Sequence, residues 1–151
     1  MKELPYAFGR PGASGTLRAT PDDFEVHELL DFEPDSDGDH VLLQIQKRNT
    51  NTEWLARQLA KFAQVKHVDV GYCGLKDRNA VTTQWFSINL VKKTEPDWKA
   101  LETGDLRVLR AEHHRRKLKR GAHSGNRFVI TLSEVQGGPA EIDARVREVA
   151  L

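Results

Sequence analysis

Short apolar runs separated by polar turns dominate this chain, and their periodicity predicts a mixed structure. Apolar and polar residues alternate at positions 16–20 and 24–29, as they do in half-buried strands. Further predicted strands cover residues 40–47, 69–73, 81–91, 106–116 and 127–134. Helical spacing predicts helices at residues 50–64 and 140–151, with a short helix or turn at 95–101. Six or more strands and two helices indicate an α+β (mixed α/β) fold with a largely antiparallel sheet and flanking helices.

The segment 50–64 carries the stronger helix signal. Thr50 and Glu53 match a capping box, with Thr50 as the N-cap and Glu53 at the third helical position. Leu55, Leu59 and Phe62 recur at helical spacing, which predicts a face buried in the core rather than a ligand site.

The last predicted helix, at residues 140–151, has no glycine, C-cap or polar turn after its apolar face. We therefore expect the chain to be a fragment of a longer protein. The alternative is a native C-terminal helix that frays at its end.

The composition fits one soluble domain. The chain has 151 residues, of which 38% are hydrophobic and 30% are charged, so it can bury an ordinary core. Its apolar runs are too short for a transmembrane span, and the N-terminal residues lack the apolar region of a signal peptide. The single cysteine, Cys73, cannot form an internal disulfide and fits a reducing cytoplasm.

The overall net charge of +1 conceals a strong asymmetry along the chain. Residues 1–40 hold ten acids and three bases, which gives −7, while residues 106–127 hold eight bases and one acid, which gives +7. A basic segment of this kind suggests a polyanionic partner, because Lys and Arg contacts to phosphates release counterions. The alternative is a solvated surface paired with the acidic N-terminal part.

A carboxylate also stands in a turn between two predicted strands. Asp77 lies between Lys76 and Arg78. An acid held at a strand end beside cations can serve as a nucleophile, or it can be a solvated turn residue. The residues alone leave both interpretations open.

Three segments together resemble a known family. Gly74-Leu-Lys-Asp-Arg-Asn-Ala-Val-Thr-Thr-Gln84 resembles the active-site motif of the TruD family of tRNA pseudouridine synthases. Residues 21–28 resemble the family's N-terminal strand motif, and residues 116–128 resemble its basic strand-to-strand segment. The three segments occur in the expected order, and the resemblance covers essentially the whole chain.

The resemblance implies a function, a partner and a set of site residues. It implies isomerisation of uridine to pseudouridine in tRNA, at uridine 13, with no metal or redox cofactor. It also implies that residues 1–151 are the N-terminal half of a pseudouridine synthase catalytic domain, without its inserted domain and C-terminal half. Asp77 matches the catalytic aspartate and Arg18 its ion-pair partner. The implied substrate-binding residues are Phe24, Asn126 and Phe128, and the implied RNA-backbone contacts are Lys76, Arg115, Arg116, Lys117, Lys119 and Arg120.

Two alternatives accompany this expectation. The chain alone can be a catalytically inactive RNA-binding half-domain, because half of the family's cleft lies outside it. It can also be a basic protein-interaction module that meets an acidic partner. As a fragment, it is expected to self-associate through exposed apolar surface where another part of the sheet would pack.

Overall fold

The computed structural model describes residues 5–150, which form eight strands, two α-helices and three short 3₁₀ turns. The helices are α1 (Thr52–Phe62) and α2 (Pro139–Val149). The strands are β1 (Ser14–Leu17), β2 (Phe24–Leu29), β3 (His40–Arg48), β4 (Val70–Tyr72), β5 (Val81–Asn89), β6 (Leu106–His114), β7 (Gly125–Ile130) and β8 (Leu132–Gln136). This arrangement confirms the predicted α+β class.

Six of the strands form the central sheet, with β5 in the middle. The order is β6-β3-β5-β2-β7, and β4 pairs with the second half of β5. All these pairings are antiparallel except the one between β2 and the start of β5, which is parallel. The prediction of a largely antiparallel sheet is therefore confirmed. The parallel pair matters for the site, because it places the N-terminal ends of β2 and β5 side by side.

The main core lies between α1 and one face of the central sheet. The apolar stripe predicted for the helix, including Leu55 and Leu59, packs with Leu43, Ile45 and Phe86 of β3 and β5. A second buried cluster, which contains Leu42, Trp85, Cys73 and Leu118, lies on the opposite face. The alternation of side chains along β3 and β5 thus supplies both layers.

The N-terminus of α1 differs from the prediction by one residue. Asn51, not Thr50, is the N-cap, and its side-chain oxygen accepts the backbone N–H groups of Glu53 and Trp54. The Thr50 hydroxyl instead donates to the carbonyl of Arg48 at 2.7 Å. Asn is at least as good an N-cap as Thr, so the capping box assigned to Thr50 is wrong although the helix itself is confirmed.

The C-terminal part of the chain is more open. The single strand predicted at 127–134 is two strands, because the chain turns at Thr131, whose N–H donates to the carbonyl of Asp23. β7 is an edge of the central sheet, while β8 pairs only with β1 in a separate two-stranded sheet. No helix within residues 5–150 has the length and hydrophobicity needed to cross a membrane. The exposed large apolar side chains of β7, β8 and α2 are Phe128, Val129, Ile130, Leu132, Val135, Val146 and Val149, and Leu17 on the neighbouring strand β1 is exposed as well.

Candidate active site

The loop that carries Asp77 connects β4 to β5 and is tied to the start of α1. The Thr52 hydroxyl accepts the Lys76 backbone N–H at 3.1 Å and donates to Gln84 Oε1 at 3.0 Å. The Gln84 side chain donates in turn to the carbonyl of Gly74 at 2.5 Å. Thr52 and Gln84 are both fully buried, so these bonds are shielded from water. The polar network fixes the part of the loop that directly precedes the aspartate.

Asp77 forms an ion pair with Arg18 at the surface of this loop. Arg18 Nη2 lies 3.0 Å from Asp77 Oδ2, and the two side chains are 36% and 41% exposed. An ion pair this exposed contributes on the order of 1 kcal/mol or less to stability. Its consequence is orientation: the guanidinium holds one oxygen of the carboxylate, which stays partly exposed to solvent.

Arg18 is itself held in an unusual conformation directly after β1. Its φ of 58° lies in the left-handed region, which for a non-glycine residue costs on the order of 1 kcal/mol. The guanidinium carbon then lies 3.7 Å from the centroid of the Phe24 ring, within cation–π distance. Strained backbone and aromatic support together place the cation over Phe24 and against Asp77.

Two phenylalanines form the aromatic part of the site. The rings of Phe24 and Phe128 are 5.9 Å apart, centroid to centroid, and tilted by 59°. Phe24 is only 8% exposed and carries Arg18 on one face, whereas Phe128 on the edge strand β7 is 54% exposed. The Phe128 side chain is therefore accessible from solvent. Phe24 packs beneath Arg18 and Phe128, and its contact with substrate stays a prediction.

Asn126 offers an unused polar atom two residues before Phe128 on β7. It lies opposite Glu28 in the β2–β7 ladder. Its Oδ1 is buried and has no hydrogen-bond partner among the described residues. Buried polar atoms nearly always have a hydrogen-bond partner in native proteins. Asn126 Oδ1 is therefore a candidate acceptor for a hydrogen bond from a ligand.

Lys76 does not lie where the sequence analysis expected it. Its Nζ is 2.5 Å from Glu28 Oε2, and the two side chains are only 5% and 0% exposed. The other carboxylate oxygen of Glu28 accepts the Trp85 backbone N–H at 3.0 Å. The structure thus places Lys76 in a buried ion pair, and its assignment to the RNA backbone stays a prediction. Glu28 had been given no role, although its position in the alternation with Phe24 and Val26 places it on the inner face.

Lys47 on β3 is a second buried cation, and the sequence analysis missed it. It is 1% exposed, and its Nζ donates to the carbonyl of Thr50 at 2.6 Å. Burial, with a smaller contribution from the charge of Lys76, lowers the pKa of Lys47 to about 8, while the charge of Asp77 acts in the opposite direction. The available signal was the alternation along β3, because Lys47 follows Leu43 and Ile45 on the apolar face.

The basic segment divides into paired and open cations. Arg115 forms an ion pair with Asp37 at 3.1 Å, and Lys117 donates to the carbonyl of Val68 at 2.5 Å. Arg116, Lys119 and Arg120 are exposed, and within residues 5–150 no acid lies within 4.0 Å of their charged groups. Each of the two interpretations of the basic segment therefore describes part of it. Arg115 pairs with the acidic N-terminal part, whereas Arg116, Lys119 and Arg120 remain available to bind a polyanion.

Other proteins are similar to this chain over most of its length. A family model for tRNA pseudouridine synthase D (TruD) matches residues 2–150. The tRNA pseudouridine synthase D of Methylococcus capsulatus is 50% identical over 143 residues, which cover 95% of this chain and 40% of that protein. That of Nitrosococcus oceani is 51% identical over 147 residues, covering 97% of this chain and 41% of that protein.

A solved structure agrees. The crystal structure of a protein assigned as tRNA pseudouridine synthase D from Methanosarcina mazei superposes with a TM-score of 0.76 at 29% identity, covering 89% of this chain and 30% of that one. The chain spans about two-fifths of the length of the curated relatives it matches. With a family match over nearly all its residues and a shared fold, the chain belongs to the TruD family of tRNA pseudouridine synthases.

Proposed function

We propose that this chain supplies the catalytic aspartate of an enzyme that isomerises uridine to pseudouridine in tRNA. The observation that carries the proposal is the Asp77 carboxylate, held at 3.0 Å by Arg18 and partly open to solvent. The open ring of Phe128 and the unpaired Oδ1 of Asn126 belong to the same region of the fold. A charged carboxylate, a π-face and a polar acceptor are the groups that this reaction requires.

The proposed chemistry is a rearrangement without net gain or loss of atoms. The N1–C1′ bond breaks and its electron pair stays on the base. The base turns within the site and a C5–C1′ bond forms; the proton on C5 is then lost and one is gained at N1. Asp77 either adds covalently or stabilises the sugar cation, as carboxylates do in glycosidases. Substrate and product are isomers, so the reaction involves no net oxidation or reduction.

Binding the target requires the nucleotide to leave the RNA stack. Unstacking a base costs a few kcal/mol, and stacking on an aromatic side chain returns about 1–3 kcal/mol. Phe128 is the candidate stacking partner, since half of its surface is exposed. Asn126 is the candidate partner for the polar edge of uracil, because an amide both donates and accepts. Phe24 supports both Arg18 and Phe128 from below.

Affinity for tRNA is proposed to come from the exposed part of the basic segment. Arg116, Lys119 and Arg120 are open to solvent, and such cations bind phosphates without regard to sequence. Uridine 13 as the target and the cytoplasm as the location are part of the same proposal.

Residues 1–151 are further proposed to be the N-terminal half of a catalytic domain. Phe128, Val129 and Ile130 on the edge strand β7 are all more than a third exposed, and β7 pairs only with β2 among the described strands. An open edge with apolar side chains recruits another polypeptide. In the longer protein that polypeptide is the remainder of the catalytic domain. The isolated chain self-associates through this surface instead.

The same open surface favours a second candidate function, an RNA-binding half-domain without activity of its own. It retains the exposed cations and Phe128, but its cleft lacks one wall. Turnover by the isolated chain separates the two candidates.

The test replaces Asp77 with Asn in the complete protein and measures pseudouridine formation in tRNA. We expect turnover to be abolished and tRNA binding to be largely retained, because the amide keeps the shape but not the charge. The matched control is Asp143→Asn, which removes an aspartate paired with an arginine, Arg147, on the exposed helix α2. Turnover by the Asp77→Asn variant near the wild-type rate would refute the proposed function.

A further inference from the structure

A cavity lies between the acidic loop at residues 33–39 and the part of the basic segment at residues 114–122. Its volume is about 620 Å³, within the range of about 300–1,000 Å³ that is typical of small-molecule sites. Its lining includes Phe32, His40, His114, Arg116, Lys119 and Ala122. It shares no residue with the group formed by Arg18, Phe24, Asp77, Asn126 and Phe128, so it is a second site and not an extension of the first.

The basic wall of this cavity is attached to the central sheet. The Leu118 backbone N–H donates to the buried Ser87 hydroxyl at 2.9 Å. The Gly121 N–H donates to the Cys73 carbonyl at 2.7 Å. The backbone also passes so close to β4 that a Cβ at Gly71 would lie 2.5 Å from the Leu118 carbonyl oxygen. The wall is therefore in place before a ligand binds, which lowers the entropic cost of binding.

The acids that line the cavity already have partners. Asp35 accepts the Arg115 backbone N–H at 3.0 Å, and its Oδ2 lies 2.9 Å from Nδ1 of His114. Glu33 forms an ion pair with Arg110 at 3.2 Å. These contacts hold the acidic loop against the basic segment and compensate the negative charge of the lining.

Two cations of the lining have no such partner. Arg116 and Lys119 are exposed, and within residues 5–150 no acid lies within 4.0 Å of their charged groups. The Nζ of Lys117, which also lines the cavity, donates to a backbone carbonyl and not to a carboxylate. A guanidinium can bind a phosphate through two N–H groups at once. The cations of this cavity therefore favour a ligand that carries a phosphate.

The less exposed part of the lining is aromatic and apolar. The rings of Phe32 and His114 are 5.2 Å apart, centroid to centroid, and nearly parallel at 18°. Leu118 is only 4% exposed. The Nδ1 of His40 is buried and has no hydrogen-bond partner among the described residues. Burial lowers the pKa of His40, so its ring is neutral at pH 7 and can donate one hydrogen bond and accept another. This surface suits a planar base with polar edges.

We propose that the cavity binds one nucleotide of the tRNA other than the target uridine, with its phosphate on Arg116 and Lys119 and its base in the aromatic part of the lining. The inference rests on the proposed function, because it takes RNA as the substrate. The basic segment joins the two sites, since it continues from the cavity into β7, the strand of Asn126 and Phe128. A second nucleotide held in this way fixes the RNA strand relative to the active site and offsets part of the cost of unstacking the target base.

The first test uses the complete protein with ¹³C-labelled histidine and follows the imidazole signals by NMR. Each of the four nucleoside monophosphates is added in turn, and inorganic phosphate is added separately. We expect at least one nucleotide to shift the signals of His40 and His114 saturably, and phosphate to bind about tenfold more weakly or less. The signals are identified by their loss in His40→Gln and His114→Gln. Equal affinity for phosphate alone, or no shift with any nucleotide, would overturn the proposal.

The second test measures the Kd of tRNA by fluorescence anisotropy in the complete protein with Ala122→Phe, which adds a ring to the lining. We expect Kd to rise about tenfold, which corresponds to about 1.4 kcal/mol. The slope of log K against log salt should stay unchanged, because no phosphate contact is removed. Lys119→Ala is expected to reduce that slope by about one. The matched control is Ala100→Phe, at an exposed alanine of the turn Trp98–Leu101, which should change neither quantity.

Unfolding temperatures show whether a variant keeps its fold. If Ala122→Phe unfolds at a lower temperature than the wild type, Phe32→Leu takes its place, since it removes a ring and keeps an apolar side chain, and the same rise in Kd is expected. A folded variant with the wild-type Kd would leave the cavity to another anion, such as an acidic protein segment, and would overturn the proposal. Failure of the proposed function appears separately, as turnover by Asp77→Asn, because neither test of the cavity measures turnover.

Discussion

Replacement of Lys76 by Met is expected to destabilise the protein far more than loss of a surface lysine. Methionine keeps the length of the side chain but removes its charge. The Lys76 and Glu28 side chains are only 5% and 0% exposed, so water cannot replace the lost partner. The substitution leaves a buried carboxylate whose remaining hydrogen bond comes from the Trp85 backbone N–H.

The expected magnitude follows from this burial. Removal of one partner from a buried ion pair costs about 3–5 kcal/mol, most of which reflects the charge left behind. The retained Trp85 N–H places this case at the lower end, at about 3 kcal/mol. That is a large part of the roughly 5–15 kcal/mol that stabilises a typical domain. When Glu28→Gln is combined with Lys76→Met, both charges are gone, and we expect the double variant to be more stable than the sum of the single effects predicts.

The assay is urea unfolding of the wild type, the two single variants and the double variant, followed by tryptophan fluorescence. Lys99→Met is the control for loss of an exposed lysine and is expected to change the free energy of unfolding by about 0.5 kcal/mol or less. If the free energy of unfolding of Lys76→Met lies within about 1 kcal/mol of the wild-type value, the Lys76–Glu28 pair does not compensate a buried charge. Additive single effects would exclude coupling between Lys76 and Glu28.

Three further predictions concern other parts of the molecule. Replacement of Arg116, Lys119 and Arg120 by Ala is expected to weaken binding to all RNAs alike and to reduce the slope of log K against log salt by about 2–3, as measured by titration across a salt series. Lys47 binds a proton less readily in the folded protein, with a pKa of about 8, than at its ordinary value of 10.5. The unfolded chain therefore holds more protons between these two pH values, so the free energy of unfolding should increase by about 3 kcal/mol as the pH rises through this range. This increase should be absent in Lys47→Met. Ile130→Thr on the exposed edge strand is expected to reduce self-association of the isolated chain in sedimentation.

Local patterns predicted the elements of the central sheet well and their ends less well. The alternation at Phe24–Leu29 and the apolar run at His40–Arg48 each became one strand of the sheet, because a half-buried position demands the same side-chain pattern whatever its partner. The run at 127–134 was expected to be one strand. It is broken at Thr131, whose N–H bonds to the carbonyl of Asp23, a contact between distant parts of the chain that leaves no local signature.

Contacts between distant parts of the chain also decide where the polar residues of the site lie, and local sequence patterns predict these positions less well than they predict strands. Lys76 stands next to Asp77 in the sequence, and a cation in a turn is usually solvated. Its buried partner Glu28 lies 48 positions earlier, and the two meet only because β2 pairs in parallel with the start of β5. Sequence neighbourhood therefore assigned Lys76 to the surface, whereas the sheet topology places it inside.

The residues that act on Asp77 come from three separate parts of the fold. Arg18 pairs with it from the end of β1, the Thr52 hydroxyl anchors its loop from the first turn of α1, and the Gln84 side chain binds the Gly74 carbonyl of that loop from β5. None of these three is its neighbour in the sequence. A carboxylate that must stay charged and oriented beside a substrate needs cations fixed by rigid elements, because long side chains on the same flexible loop would move with it. The sheet supplies that rigidity, which is why the motif around Asp77 identifies the catalytic candidate while the groups that orient it become visible only in the folded chain.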